Sequence, residues 1–161
     1  MVLNFYLRNL SDFAQYEPID MDSASTLSYH EKLLDVEYDL MCKNQLLRYF
    51  LFEKDNPFQV VGTVSFRNFN RAGHLQSCQI GYKVDWEFRR RGYAREALYV
   101  TCRDMLFVEH FHRIEAWVLP YNIPSCRLLE GLGFEKEGLM REKVMLNGYW
   151  EDHFLYSLIP E

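Results

Sequence analysis

The sequence has no apolar run long enough to span a membrane and no basic leader followed by an apolar stretch and a small-residue cleavage site. It also lacks repeats, low-complexity tracts and any Pro/Gly-rich linker. These absences argue against a membrane protein, a secreted protein and a string of modules. The cysteines, Cys42, Cys78, Cys102 and Cys126, show none of the paired short spacings of a zinc framework or a disulfide scaffold, so no metal and a reducing, cytoplasmic setting are expected. Basic residues are also short. With 18 Lys and Arg against 23 Asp and Glu the formal net charge is −5, which argues against a general nucleic-acid binder and mildly favours cationic partners such as amines.

What is present is enough apolar material for one core. With 48% hydrophobic residues in 161, the chain reads as a single domain over residues 1–161. A short strand is expected near Val2 to Leu7, then mostly helical material, in which Leu27, Leu33, Leu34, Tyr38 and Met41 share a helix face. Leu46 to Glu53 and Phe58 to Asn68 flank the turn-rich Lys54-Asp55-Asn56-Pro57 and read as a hairpin. A third strand is marked by alternation: Cys78, Ile80, Tyr82, Val84 and Trp86 on one face, Ser77, Gln79, Gly81, Lys83 and Asp85 on the other.

After Gly92 the period lengthens to that of a helix, with Ala94, Leu98, Met105 and Val108 on one side. Arg113 to Leu119 reads as a strand, a short helix ends near Leu132, and two final strands are joined by the tight Asn147-Gly148 turn. The fold class is therefore mixed α/β, with a mostly antiparallel central sheet of about seven strands and flanking helices.

The junction between the third strand and the following helix carries the chemistry. A helix opening at Gly92 presents unpaired N–H groups and the positive end of its dipole, beside Arg89, Arg90 and Arg91. Gly92 permits close backbone approach and Ala94 leaves room, so the segment suits a pyrophosphate. A solvated basic turn is the plain alternative for three arginines. Arg91-Gly92-Tyr93-Ala94 also matches the start of an RNA-recognition signature, but that signature continues as a strand, whereas Arg95-Glu96-Ala97-Leu98 continues a helix. A dinucleotide or ATP loop would need further glycines or a Gly-Lys-Ser/Thr ending.

Arg89-x-x-Gly92-x-Ala94, following Ile80 to Val84, resembles the coenzyme A signature of the GNAT superfamily of N-acetyltransferases. Arg113 to Val118, Asn122-x-x-Ser125 and Leu132-Gly133-Phe134-x-x-Glu137-Gly138 are similar to the branch that contains the ribosomal-protein N-terminal acetyltransferases. The likeness runs from about Phe58 to the C-terminus. It implies acetyl-coenzyme A as cosubstrate and a primary amine as acceptor: a protein N-terminus, a polyamine or a small molecule. Backbone amides of Arg90 to Ala94 would hold the pyrophosphate, and the edge of Tyr82, Lys83 and Val84 would pair with the pantetheine arm. Asn122 would bond to the pantetheine or its thioester end, or serve as a helix N-cap.

Transfer to an amine requires that the ammonium lose a proton and that the departing thiolate be offered one. Many relatives carry a tyrosine seven residues after the asparagine, where this chain has Leu129; the ribosomal branch places a serine at the position of Ser125, the candidate donor here. The same branch places a glutamate where Val144 stands. Glu142, two residues away and on the same face of a regular strand, is the candidate base, with Glu115, Asp152 or a water chain as alternatives. A non-catalytic acyl-coenzyme A sensor is the rival reading, since fold does not fix function. A monomer or a homodimer paired through the final hairpin's edge would both suit the pattern.

Overall fold

The computed structural model describes residues 1–160. Helices α1 (Val2–Phe13), α2 (Met21–Ala24) and α3 (Leu27–Cys42) precede strands β1 (Leu47–Glu53), β2 (Asn56–Asn70) and β3 (Ser77–Val84). A 3-10 turn (Trp86–Phe88) leads into α4 (Tyr93–Phe107), β4 (Arg113–Val118), α5 (Ile123–Glu130) and the hairpin of β5 (Glu135–Leu146) and β6 (Tyr149–Leu158). The sheet has six strands in the order β1-β2-β3-β4-β6-β5, antiparallel except for β3 and β4.

The seventh strand expected at Val2 to Leu7 is instead the start of α1. Phe5, Tyr6, Asn9, Leu10 and Phe13 are its buried positions, and a window over Val2 to Leu7 holds only the first two, too few to reveal the helical period. The apolar ones pack with Ala24 and Val60 into a small cluster on one face of the sheet. The other face carries the main core: Val64, Phe66, Cys78, Ile80, Ile114, Ala116, Val118 and Tyr156 from the strands meet Leu98 and Met105 of α4 and Leu129 of α5. Cutting Leu98, Met105, Ile114 or Leu129 to alanine costs about 2–5 kcal/mol.

Because both faces are covered, the alternation in β3 does not separate buried from exposed. Gln79 and Asp85 are buried, while Trp86 lies past the strand and is exposed. Tight contact on the β2 side fixes this strand further. A Cβ added at Gly62 would stand 2.8 Å from the Lys83 carbonyl oxygen, so only glycine lets the two backbones approach this closely.

The sheet is split in its middle. β3 pairs with β4 only at Ser77–Arg113, Cys78–Ile114 and Gln79–Glu115. Beyond that point β3 follows β2 as far as Val84–Gly62, and β4 follows β6 as far as Val118–Phe154. Ile80 to Val84 and Ala116 to Val118 therefore face one another without ladder bonds, leaving strand edges to which an amide-bearing ligand can add.

Candidate active site

At the upper end of the split, the chain leaves β3 through Asp85 and enters α4 at Gly92. Arg90 and Gly92 both take left-handed backbone, at φ 60° and 89°. Gly92 is the N-cap, without a capping side chain. Glu96 N–H makes the first helical bond, to the Gly92 carbonyl, and among the described residues none of the amides from Arg90 to Arg95 donates to a backbone or side-chain acceptor. A run of free amides at a helix N-terminus, curled by left-handed residues, is an anion cradle. A groove of about 430 Å³ lined by Gly92, Arg95, Glu96, Tyr99, Gly131 and Leu132 continues from it between α4 and α5.

The three arginines divide their work. Arg89 is bound to Asp12 of α1 through both terminal nitrogens, one Nη1–Oδ1 contact being 2.9 Å, and its Nε donates to the Val84 carbonyl at 3.3 Å. Its guanidinium therefore fixes the loop to α1, and is not free for a phosphate. Arg91 lies over the Phe88 ring, 5.0 Å from the centroid. Arg90 is exposed and makes no ion pair among the described residues. Tyr93 donates its phenol hydrogen to Glu53 on β1, which raises its pKa and anchors the first turn of α4; Ala94 follows, half-buried.

Helix α1 holds the rest of the loop. Arg8 donates from Nε and Nη2 to one oxygen of the fully buried Asp85, at 2.9 and 2.7 Å. The other Asp85 oxygen caps the 3-10 turn through Glu87 N–H, at 3.2 Å. Buried Asn9 accepts from Trp86 N–H at 2.9 Å and donates to the Phe5 carbonyl at 2.8 Å. Local pattern assigns these residues no role, because a strand at Val2 to Leu7 would not bring Arg8, Asn9 and Asp12 to one side.

Across the split, Tyr82 and Ser125 meet: their hydroxyl oxygens lie 2.7 Å apart. Burial pushes the Tyr82 phenol up to about 12, so it stays protonated over the physiological range, while its bond to Ser125 works in the opposite sense. Asn122 caps α5, its Oδ1 accepting from Ser125 N–H at 3.3 Å, which leaves its Nδ2 without a partner among the described residues. Leu129 is wholly inside the core and offers no proton. Lys83 is paired with Glu17 and lies 5.1 Å from the centroids of Tyr6 and Phe13, on the α1 side of the sheet.

Glu142 does not occupy the expected place. The ladder between β5 and β6 runs from Met140–His153 directly to Val144–Glu151, so three residues bulge opposite Asp152. Glu142 sits in that bulge with φ 48°, exposed, and its N–H donates to Asp152 Oδ1 at 2.8 Å. The same-face argument fails because the strand is not regular there, and Asp152 serves the bulge. Glu115 is held by Arg113, which also binds Glu137, far down the sheet. Tyr29 and Tyr38 are exposed on α3, and Phe69 packs on Phe111.

Free amides at a helix N-terminus, a split strand pair leading from them and a hydroxyl pair in the split suit an extended ligand that carries both phosphate and amide groups. Residues 3–135 match the family described as acetyltransferase (GNAT) domain. The chain is 30% identical over 155 residues to the [ribosomal protein uS5]-alanine N-acetyltransferase of Escherichia coli, covering 96% of this chain and 79% of that one. The ribosomal-protein-S5-alanine acetyltransferase from Vibrio fischeri superposes with a TM-score of 0.91 at 31% identity, over 98% of this chain and 85% of that one. Mycobacterium smegmatis RimJ in complex with CoA-disulfide superposes with a TM-score of 0.90 at 26% identity, over 98% and 75%. The chain belongs to the GNAT family. It is an acetyl-coenzyme A-dependent N-acetyltransferase, and its acceptor is an amine.

Proposed function

We propose that the acceptor is a protein N-terminus, with an N-terminal alanine of a ribosomal protein as the leading substrate, and that the reaction takes place in the cytoplasm. The observation that carries this reading is the likeness along nearly the whole chain to two enzymes named for that substrate. Tyr121 is exposed and reaches the Gln15 carbonyl at 3.4 Å, and Asn147 of the β5–β6 turn reaches the Ala14 carbonyl at 3.2 Å. These contacts join the end of α1 to the β4–α5 loop and the final hairpin at the surface, beside the open end, or mouth, of the split.

Acetyl-coenzyme A supplies the acetyl group as a thioester, already open to attack by an amine. In our reading the amides of Arg90, Arg91, Gly92, Tyr93 and Ala94 hold its pyrophosphate, with Arg90 adding charge and Arg89 fixing the loop. The edge of Tyr82, Lys83 and Val84 pairs with the pantetheine, and the free Nδ2 of Asn122 bonds to the same arm. Ser125 offers its proton to the departing sulfur; its Oγ lies 2.7 Å from the Tyr82 phenol oxygen, and a hydrogen bond donated by the phenol would turn the serine hydrogen into the split. Holding amine and thioester together supplies much of the remaining acceleration.

Free thiol release from acetyl-coenzyme A against peptides beginning with Ala, Ser or Met, and against spermidine, tests the assignment. Alanine peptides should give the highest kcat/KM. Preference for spermidine over every peptide would contradict a protein acceptor.

A further inference from the structure

The expected base is missing from Val144, and Glu142 is turned out in a bulge, yet the structure holds a carboxylate in a suitable place. Val144 pairs directly with Glu151 across the β5–β6 ladder. Directly opposed residues of an antiparallel pair point to the same face, with Cβ atoms about 5 Å apart. β6 continues past the end of its pairing with β4 at Val118–Phe154, so Glu151 stands above the split, at the level of the β4–α5 loop. It shares a face with His153, which places it opposite Phe154 and the main core and on the same side as α1.

Glu151 is half-buried, and among the described residues neither an ion pair nor a hydrogen bond engages its side-chain oxygens; the imidazole Nδ1 of His153, at 3.2 Å, faces its backbone carbonyl instead. Its charge is felt at the mouth. Desolvation first, and then the Glu151 carboxylate and Tyr16, raise the pKa of the Tyr121 phenol. The Tyr121 phenol of the β4–α5 loop thus senses Glu151, Val144 opposes it on β5 and His153 shares its face on β6; among the described residues no cation is paired with it.

We infer that Glu151 is the catalytic base of the acetyl transfer, receiving the acceptor's proton at the mouth of the split. This rests on the transferase reading above. One proton passes from the acceptor ammonium to the Glu151 carboxylate, which frees the nitrogen lone pair. The C–N bond forms at the thioester carbonyl carbon, and the C–S bond breaks with its electron pair on sulfur, which takes a proton through Ser125. The second proton that nitrogen sheds balances the one taken by sulfur, and Glu151 returns its own to water, so that each turnover releases one proton. The hairpin turn makes this substitution possible. Because Asn147-Gly148 fixes the register, a carboxylate on β6 reaches the same patch of surface as one at position 144 on β5.

The test is Glu151→Gln, assayed by thiol release from acetyl-coenzyme A with alanine-initiated peptides and spermidine as acceptors, from pH 6.5 to 9.5. At pH 7 the variant should lose roughly 10²-fold or more in kcat while its acetyl-coenzyme A Kd stays within twofold. The deficit with peptides should shrink above about pH 8, as the α-amine loses its proton unaided. A wild-type rate in the variant, a deficit equal at every pH, or a parallel loss of acetyl-coenzyme A binding would each overturn the assignment. If the unaltered chain binds acetyl-coenzyme A and releases no thiol with any acceptor, the transferase reading falls and Glu151 with it; release that survives in the variant removes Glu151 alone.

Discussion

Arg8 on α1 closes on the buried carboxylate of Asp85 across the chain, with two nitrogens on one oxygen at 2.9 and 2.7 Å. This pair sits directly before the loop from Trp86 to Gly92, so the loop's shape depends on a helix remote in sequence. Replacing Arg8 by Ala leaves a carboxylate buried alone, and stability should fall by about 3 kcal/mol. Urea unfolding measures the loss, and titration should show weaker acetyl-coenzyme A binding in the variant that remains folded. Unchanged stability would mean that water reaches Asp85.

Gly92 separates conformation from space. A Cβ there would meet no protein atom within 4 Å, but the backbone stands at φ 89°. Gly92→Ala should therefore cost about 1 kcal/mol of stability and weaken cofactor binding modestly. Gly92→Glu places a negative side chain against the cradle and should abolish binding. Calorimetric titration of the two variants distinguishes these effects, and normal binding by Gly92→Glu would show that the cradle lies elsewhere.

How much of this was legible in the sequence depends on the range of the forces involved. The cradle was readable because Gly92 and the change from strand to helix period lie within a few residues of one another. The pairing of Val144 with Glu151 was readable in principle, since an Asn-Gly turn dictates which residues oppose. What concealed it was the assumption of a regular β5, whereas Asp152 binds the Glu142 amide and lets three residues bulge. The contacts of Arg8, Asn9 and Asp12 with the loop join positions some 77 residues apart, and no local pattern announces them.

The Tyr82–Ser125 bond predicts coupled kinetics. Ser125→Ala should lower kcat at least tenfold with little change in acetyl-coenzyme A KM. Tyr82→Phe should lower kcat less, and should add almost nothing in the Ser125→Ala background, because the phenol acts through the serine. With Tyr82 pushed up to about 12, no alkaline limb from this phenol should appear in the rate profile below about pH 10. Additive losses in the double variant would contradict the linked roles.

Arg113 holds Glu137 through paired bonds, and Ser157 donates to the same carboxylate; these hydrogen bonds bring the Glu137 carboxyl down to about 2. A carboxyl lowered in the folded state contributes stability above its unfolded value, near 4.5, and loses it as pH falls towards 2. Because the pair is partly exposed, the contribution is screened and modest. The melting temperature of Glu137→Gln should thus approach that of the unaltered chain as pH drops from 5 to 2. A gap that stays constant over this range would assign the pair no acid-sensitive role.

The proposed reaction requires that the free amides before α4 and the split between β3 and β4 bring acetyl-coenzyme A to an amine. Its most direct test follows thiol release and acetylated product together, using an alanine-initiated peptide with mass spectrometry of the peptide. Equal molar yields of free coenzyme A and N-terminally acetylated peptide are predicted. Thiol release without acetylated peptide, or no release from a chain that binds the cofactor, would contradict it.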